Sequence, residues 1–163
     1  MKLKKIKKVI DNFLDKEEFK HIQKIIMGAD FPWFYNRNIS YAKDPKNLYY
    51  FTHNFYRDNL QSNYFSLWGS FLNKINPKAL IRIKGGLYPS VAKAEANCSH
   101  IDYDFPHKGC IFYINKNNGP TYFGDKKIMP KENRVVLFDP HLPHSSSRCS
   151  DQQVRITVTF NYF

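Results

Sequence analysis

The chain changes character near residue 79. Before it, apolar residues recur at helical spacing in two places; after it they come in short runs broken by Gly, Pro, Asn and Asp. The later runs, 79–88, 97–103, 109–115, 120–124, 126–129, 133–138, 144–149 and 153–162, all have the length of strands. No helical stretch separates them, which excludes a parallel α/β sheet, whose crossovers need a dozen or more residues, usually helical. Eight short strands in this space describe a mainly β fold, a sandwich or small barrel of the jelly-roll kind, with helices in front of it.

The first half supplies those helices. Residues 6–14 (IKKVIDNFL) read as a short strand running into a helix start. Asp15 is in position to cap it, and Glu17 and Glu18 suit the positive end of the helix dipole. Phe19, Ile22, Ile25 and Ile26 then fall on one face, and Gly28 stops the helix, giving an expected span of 15–28. The stretch 29–58 is aromatic, polar and aperiodic and reads as loops with short strands. Leu60, Tyr64, Leu67, Trp68, Phe71, Leu72 and Ile75 restore the helical period over 60–75, and Pro77 ends it. The chain is expected to form one domain, 1–163, with 1–78 as support and lid and 79–163 as the β core.

Charge and cysteine usage narrow the function classes. The net charge of +11 invites a nucleic-acid partner, but five lysines lie in the first eight residues and the others are scattered. A solvated basic surface is the better reading. Cys98, Cys110 and Cys149 are odd in number and lack C-x-x-C spacing, which argues against disulfides and thiolate zinc and for reduced thiols in a cytoplasmic protein. No apolar run approaches the roughly 18 residues of a membrane span. Ile10-Asp11-Asn12 follows the basic start where a secretory signal would be apolar.

The chemistry gathers in the second half. His100 and Asp102 are two residues apart in an expected strand, so both side chains project from one face. A third donor would complete a two-histidine, one-carboxylate set, which leaves three positions of an octahedral iron open. Alone the pair is weak, because a surface His near a surface Asp is common. Pro143-His144-Ser145 follows the apolar run Val135–Phe138, and Arg155 lies eleven residues beyond His144 in the last strand. An arginine facing the barrel interior needs a carboxylate, from a ligand or from the protein itself.

At these residues the sequence resembles the iron(II)- and 2-oxoglutarate-dependent oxygenases of the prolyl-4-hydroxylase-like branch. The resemblance covers 79–163 and, more loosely, 9–35. It rests on Tyr88-Pro89 ahead of His100-x-Asp102, on Cys110–Asn115, on Asn133–Phe138, and on Pro143-His144-Ser145 followed by Arg155-x-Thr157. It implies a double-stranded β-helix, cupin-like, with His100, Asp102 and His144 as iron ligands. Arg155 and Tyr113 would bind the distal carboxylate of 2-oxoglutarate, with Tyr88 and Thr157 in the same pocket. The implied reaction hydroxylates an unactivated C–H bond with dioxygen and releases succinate and CO2, with ascorbate as an optional reductant. Asp102 speaks against halogenation, because related halogenases give up that carboxylate. Arg155 stands where many collagen-type prolyl 4-hydroxylases carry lysine, and the chain is short, so a prolyl substrate does not follow.

The substrate class stays open between a small molecule, a peptidyl side chain and, less favoured, an alkylated nucleic-acid base. A jelly-roll module that binds a ligand or partner without redox chemistry is the alternative from another class. Trp33, Tyr35, Tyr103 and His107 are candidate substrate-lining residues. His141 is a weaker ligand candidate than His144, His21 and His53 read as surface residues, and Cys98 reads as a core thiol.

Overall fold

A computed structural model describes residues 6–39 and 48–163. Part of the stretch read as loops (40–47) and Lys2, Lys4 and Lys5 of the basic start lie outside the described residues. Strand β1 (Ile6–Ile10) leads to helix α1 (Lys16–Ile26). Strands β2 (Phe34–Asn36), β3 (Tyr50–Arg57) and β4 (Leu60–Gln61) precede a 3-10 turn (Phe65–Trp68) and helix α2 (Gly69–Ile75). From there the described chain is strand and turn: β5 (Leu80–Pro89), β6 (Glu95–Ala96), β7 (Lys108–Tyr113), β8 (Thr121–Phe123), β9 (Lys126–Ile128), β10 (Arg134–Phe138), β11 (Ser147–Arg148) and β12 (Val154–Tyr162).

The large sheet runs β1-β10-β7-β12-β5-β3-β2, with β4 on β3, and every pairing is antiparallel. The smaller layer holds β6 with β11 and β8 with β9, joined by bridges between Tyr122 and Ser145 and between His100 and His144. This is the two-sheet jelly roll that the strand count predicts.

Strand parity divides the large sheet into two faces. Ile83 on β5, Cys110 and Phe112 on β7, and Ile156, Val158 and Phe160 on β12 face the helices. There they meet Phe19, Ile22 and Ile26 of α1, and Trp68 and Phe71. Phe71 stacks on Phe160 with ring centroids 4.1 Å apart. The alternate residues face the smaller layer: Ile111 and Tyr113 pack with Val136, Phe138 and Phe123. The same parity sends Arg82, Lys84 and Tyr88 of β5, and Arg155, Thr157 and Thr159 of β12, into one cavity between the layers. Polar residues at every second position of two central strands are costly unless they serve a site.

α1 is tied to the barrel by Asn133, whose side chain accepts from the Leu14 N–H at 2.9 Å and donates to the Leu14 carbonyl at 2.8 Å. Asp15 takes the N-cap position, but its side chain makes no capping hydrogen bond. Asn133 holds that entry turn in its place.

Three expected elements differ. The helix expected over 60–75 is α-helical only from Gly69, because Leu60 and Gln61 pair with β3 and the chain re-enters through a 3-10 turn. Within 29–58, β3 is a full eight-residue strand of the large sheet. Its interior is covered on both faces, with Phe55 and Tyr50 both buried, so no polar–apolar alternation marks it. The strand expected over 97–103 reduces to the single bridge at His100, with β6 just ahead of it, and the chain then turns away to β7.

Candidate metal centre

Backbone pairing brings the two histidines together. The His100 N–H donates to the His144 carbonyl at 2.9 Å, and the His144 N–H returns the bond at 2.9 Å. The imidazole centroids are 4.6 Å apart. The Asp102 N–H donates to the Pro140 carbonyl at 2.9 Å, anchoring the carboxylate's segment to the turn that precedes His144. One ligating atom from each of His100, Asp102 and His144 lies within 4.8 Å of the others.

Both rings are oriented from behind. His144 Nδ1 is 2.9 Å from the Leu142 carbonyl, and His100 Nδ1 is 3.4 Å from the Cys98 carbonyl. A carbonyl only accepts, so Nδ1 carries the proton in each ring and the Nε2 atoms turn toward Asp102. They approach Asp102 Oδ1 at 3.7 and 3.9 Å, too far for hydrogen bonds. Phe138 packs edge-on against the His144 ring at 4.9 Å, fixing its plane.

The charges favour a bound cation. Burial, then the neighbouring His144, pulls the His100 imidazole down to about 4, so it is neutral at physiological pH. Burial would raise the Asp102 carboxyl, but Arg82, His144 and the Asn161 amide override it and hold it at about 2. Arg82 Nη2 lies 3.2 Å from Asp102 Oδ1, and Asn161 Nδ2 donates to Oδ2 at 2.8 Å. A permanent carboxylate therefore faces the lone pair of a neutral imidazole, with no hydrogen between them. Imidazole nitrogens and a carboxylate in this arrangement suit a first-row divalent ion with open coordination positions.

Arg155, only 1% exposed, lines the same cavity. Its Nε donates to the Gly119 carbonyl at 2.9 Å and its Nη2 to Thr121 Oγ1 at 2.8 Å. Nη1 is buried without a hydrogen-bond partner, and no carboxylate among the described residues pairs with the guanidinium. The protein-carboxylate alternative for Arg155 thus has no support among the described residues. The guanidinium lies 5.2 Å from the Tyr88 ring centroid, and Tyr88 stacks on Tyr50 at 5.3 Å. Thr157 lines the cavity too.

Other expected site residues sit elsewhere. The Tyr113 hydroxyl donates to Thr121 Oγ1 at 2.7 Å, so it braces the threonine that Arg155 also uses and is not among the cavity-lining residues. Trp33 packs on the helix side of the large sheet, against Phe31 and above Gly85, because β5 turns Gly85 away from the cavity. Tyr35 is 63% exposed on an edge strand. Neither roofs the cavity. His107 is buried behind the carboxylate, its Nε2 3.1 Å from Asn161 Nδ2, and is not among the cavity-lining residues. Tyr103 lies against the Arg82 guanidinium at 5.3 Å. His53 is buried, not on the surface, and holds Pro32 and Ser62. His141 does not join the cluster.

Lys84 and Asn161 were not singled out from the sequence, nor was Arg82 as the partner of Asp102. Their signal was available, since they fall in step with Tyr88 and Arg155 at every second position of β5 and β12.

No protein-family model matches the sequence, and no curated protein does. Solved structures match over nearly the whole chain. A collagen prolyl hydroxylase of Paramecium bursaria Chlorella virus 1, in complex with 2-oxoglutarate, aligns over 94% of this chain and 93% of its own, with 16% identity and a TM-score of 0.59. A Trichoplax adhaerens prolyl hydroxylase, bound to a peptide fragment of hypoxia inducible factor, aligns over 96% and 82%, with 18% identity and a TM-score of 0.65. A Pseudomonas putida prolyl-4-hydroxylase aligns over 95% and 91%, with 11% identity and a TM-score of 0.63. The chain has the fold of the prolyl-hydroxylase-type 2-oxoglutarate oxygenases.

Proposed function

We propose that this chain is an iron(II)- and 2-oxoglutarate-dependent oxygenase that hydroxylates an unactivated C–H bond, releasing succinate and CO2. One observation carries the reading: the His100–Asp102–His144 cluster shares a cavity with a buried arginine that has an unpaired N–H. His100, Asp102 and His144 would hold the iron. Arg155 would take the distal carboxylate of 2-oxoglutarate, with Tyr88 and Thr157 beside it and Tyr113 acting through Thr121. Iron and cosubstrate together supply dioxygen activation when bound.

The chain's own residues do the rest. The Cys98 and Leu142 carbonyls keep each Nε2 turned toward Asp102. Arg82 and Asn161 hold the carboxylate ionised and aimed. The wall built by Ile111, Tyr88 and the apolar packing behind His144 limits water. Residues 1–163 work as one unit in this reading, and three free thiols suit a reducing cytoplasm. No helix among the described residues is long and apolar enough to cross a membrane. The peptide held by the Trichoplax relative supports a peptidyl or small-molecule substrate.

Anaerobic titration with iron(II) and then 2-oxoglutarate tests the reading. A visible charge-transfer band is expected in the wild type and not in His144→Ala, and admission of air should yield succinate. A protein that gives neither band nor succinate would overturn it.

A further inference from the structure

The cavity stays cationic even when metal and cosubstrate are counted in. Arg82, Lys84 and Arg155 line it, and Asp102 is the one carboxylate lining it among the described residues. Arg82 is engaged by Asp102 and by Asn161 Oδ1, to which it donates from Nη2 at 3.0 Å. Arg155 is assigned to the cosubstrate. Lys84 is left. Its ammonium reaches the Tyr50 hydroxyl at 3.4 Å and lies 5.7 Å from that ring's centroid, and no carboxylate among the described residues forms an ion pair with it.

Arg82 and Asp102 offset each other, and a divalent metal and a dianionic cosubstrate cancel, so Lys84 and Arg155 leave the loaded cavity positive. Lys84 is also separate from the Arg155 end of the cavity. Lys84 pairs across the sheet with Thr159, whereas Arg155 pairs with Tyr88, four residues along β5. At roughly 3.3 Å per residue that sets the two Cα rows about 13 Å apart. Lys84 belongs to the metal end, where its charge is felt by His100 and it in turn feels Asp102. An ammonium held among other cations with one weak hydroxyl contact is costly, and an anion offsets that cost.

We propose that Lys84 forms a second anion subsite beside the metal centre, which receives a carboxylate borne by the substrate. This deepens the oxygenase reading and rests on it. The Lys84 ammonium, a donor only, suits the oxygens of a carboxylate. The substrate is then an acid, and the C–H bond attacked lies within a few bonds of that group. Burial, and then Arg82, draws the Lys84 ammonium down to about 8, which leaves it mostly charged at neutral pH.

The test uses the full chain loaded with manganese(II), in place of iron, and saturated with 2-oxoglutarate. Acetate is the probe, and the paramagnetic relaxation of its methyl protons is the readout. Saturable relaxation enhancement is expected for acetate and not for acetamide. Lys84→Met should weaken it more than tenfold, and Lys84→Arg should retain it. The fall in water-proton relaxation when 2-oxoglutarate displaces metal-bound water, measured first, tests the underlying reading by itself. If that fall is absent, the oxygenase reading fails and the subsite with it. If the fall is seen but acetate and acetamide behave alike, or Lys84→Met binds acetate as the wild type does, the subsite alone is overturned. If Lys84→Met instead weakens 2-oxoglutarate, Lys84 belongs to the cosubstrate and the proposal is wrong.

Discussion

His100 and His144 exchange two backbone hydrogen bonds of 2.9 Å across the smaller layer, so their imidazoles are juxtaposed by the sheet and not by a metal. The cluster should therefore survive without its ion. His144→Ala deletes a side chain but neither backbone bond. We expect the fold to persist, by circular dichroism and urea midpoint, with divalent metal affinity falling beyond the roughly 10–100-fold typical of lost outer-shell partners. Isothermal titration with manganese(II) makes the comparison. An unfolded variant would show that the side chain, not the bridge, organises this end.

Arg155 offers the distal carboxylate a guanidinium already fixed by Gly119 and Thr121. Losing a charge-assisted contact costs roughly 1.5–3 kcal/mol, or about ten- to a hundredfold in affinity. Arg155→Ala should raise the 2-oxoglutarate needed for half-maximal succinate formation by that factor and leave metal binding within a few-fold. Arg155→Lys should fall between, since lysine lacks the planar fork. Unchanged half-saturation in Arg155→Ala would assign the carboxylate to another cation.

Asn161 donates to the Asp102 oxygen that faces away from the histidines and accepts from Arg82. It positions the carboxylate without reaching the metal point. Asn161→Ala should weaken manganese(II) binding by roughly tenfold, the lower end of an outer-shell loss. 2-Oxoglutarate affinity at saturating metal should change little. Equal metal affinity in the two proteins would mean that Arg82 alone suffices.

Burial holds the His53 and His107 imidazoles below their ordinary range and His100 at about 4. The unfolded chain titrates near 6.5, so between about 4 and 6.5 it binds more protons than the folded one. Stability of the metal-free protein must then rise with pH across that window, and fall as pH drops through it. Urea midpoints at pH 5 and pH 7.5 decide the matter: the lower should occur at pH 5. Equal midpoints would show that these rings gain no net protons on unfolding.

The core of the site was legible because the chemistry obeys strand parity and chain order. His100, His144 and Arg155 each stand where a strand or bridge points inward, and Asp102 follows the His100 bridge by two residues, so the i, i+2 spacing marked it although no strand continues there. Tyr113 also has inward parity, and its hydroxyl reaches the cavity wall through Thr121, a hydrogen bond that no periodicity shows. Trp33, Tyr35 and His107 lie in loops or on an edge, where no period exists to say which way a ring turns. β3 was hidden for the opposite reason, since a strand covered on both faces loses the alternation that marks a strand. Lys84 was passed over because a charged residue in a lysine-rich chain looks like solvent-facing charge until its neighbours on β5 are known.

Gly109 links packing to the metal point. It is the second residue of β7, opposite Phe138, and a Cβ built there would lie 2.7 Å from Pro140 Cγ. A proline ring cannot swing aside as a flexible side chain would, so the Pro140 segment must move. That segment's carbonyl accepts the Asp102 N–H, and His144 follows four residues later. Gly109→Ala should therefore cost roughly 1–3 kcal/mol of stability, the usual penalty for overpacking. It should also weaken metal binding, although residue 109 touches no ligand. The control is Gly69→Ala, where a Cβ meets nothing within 4 Å and the residue lies in α2, far from the cavity in sequence and layer. There stability should hold or rise, because alanine favours a helix over glycine by about 1 kcal/mol, and metal affinity should match the wild type. Urea midpoints and manganese(II) titrations on both variants separate the effects. Should Gly109→Ala lose stability with metal affinity intact, the Pro140 turn yields without carrying Asp102 and His144 along, and the coupling argued here between β7 and the metal point does not exist.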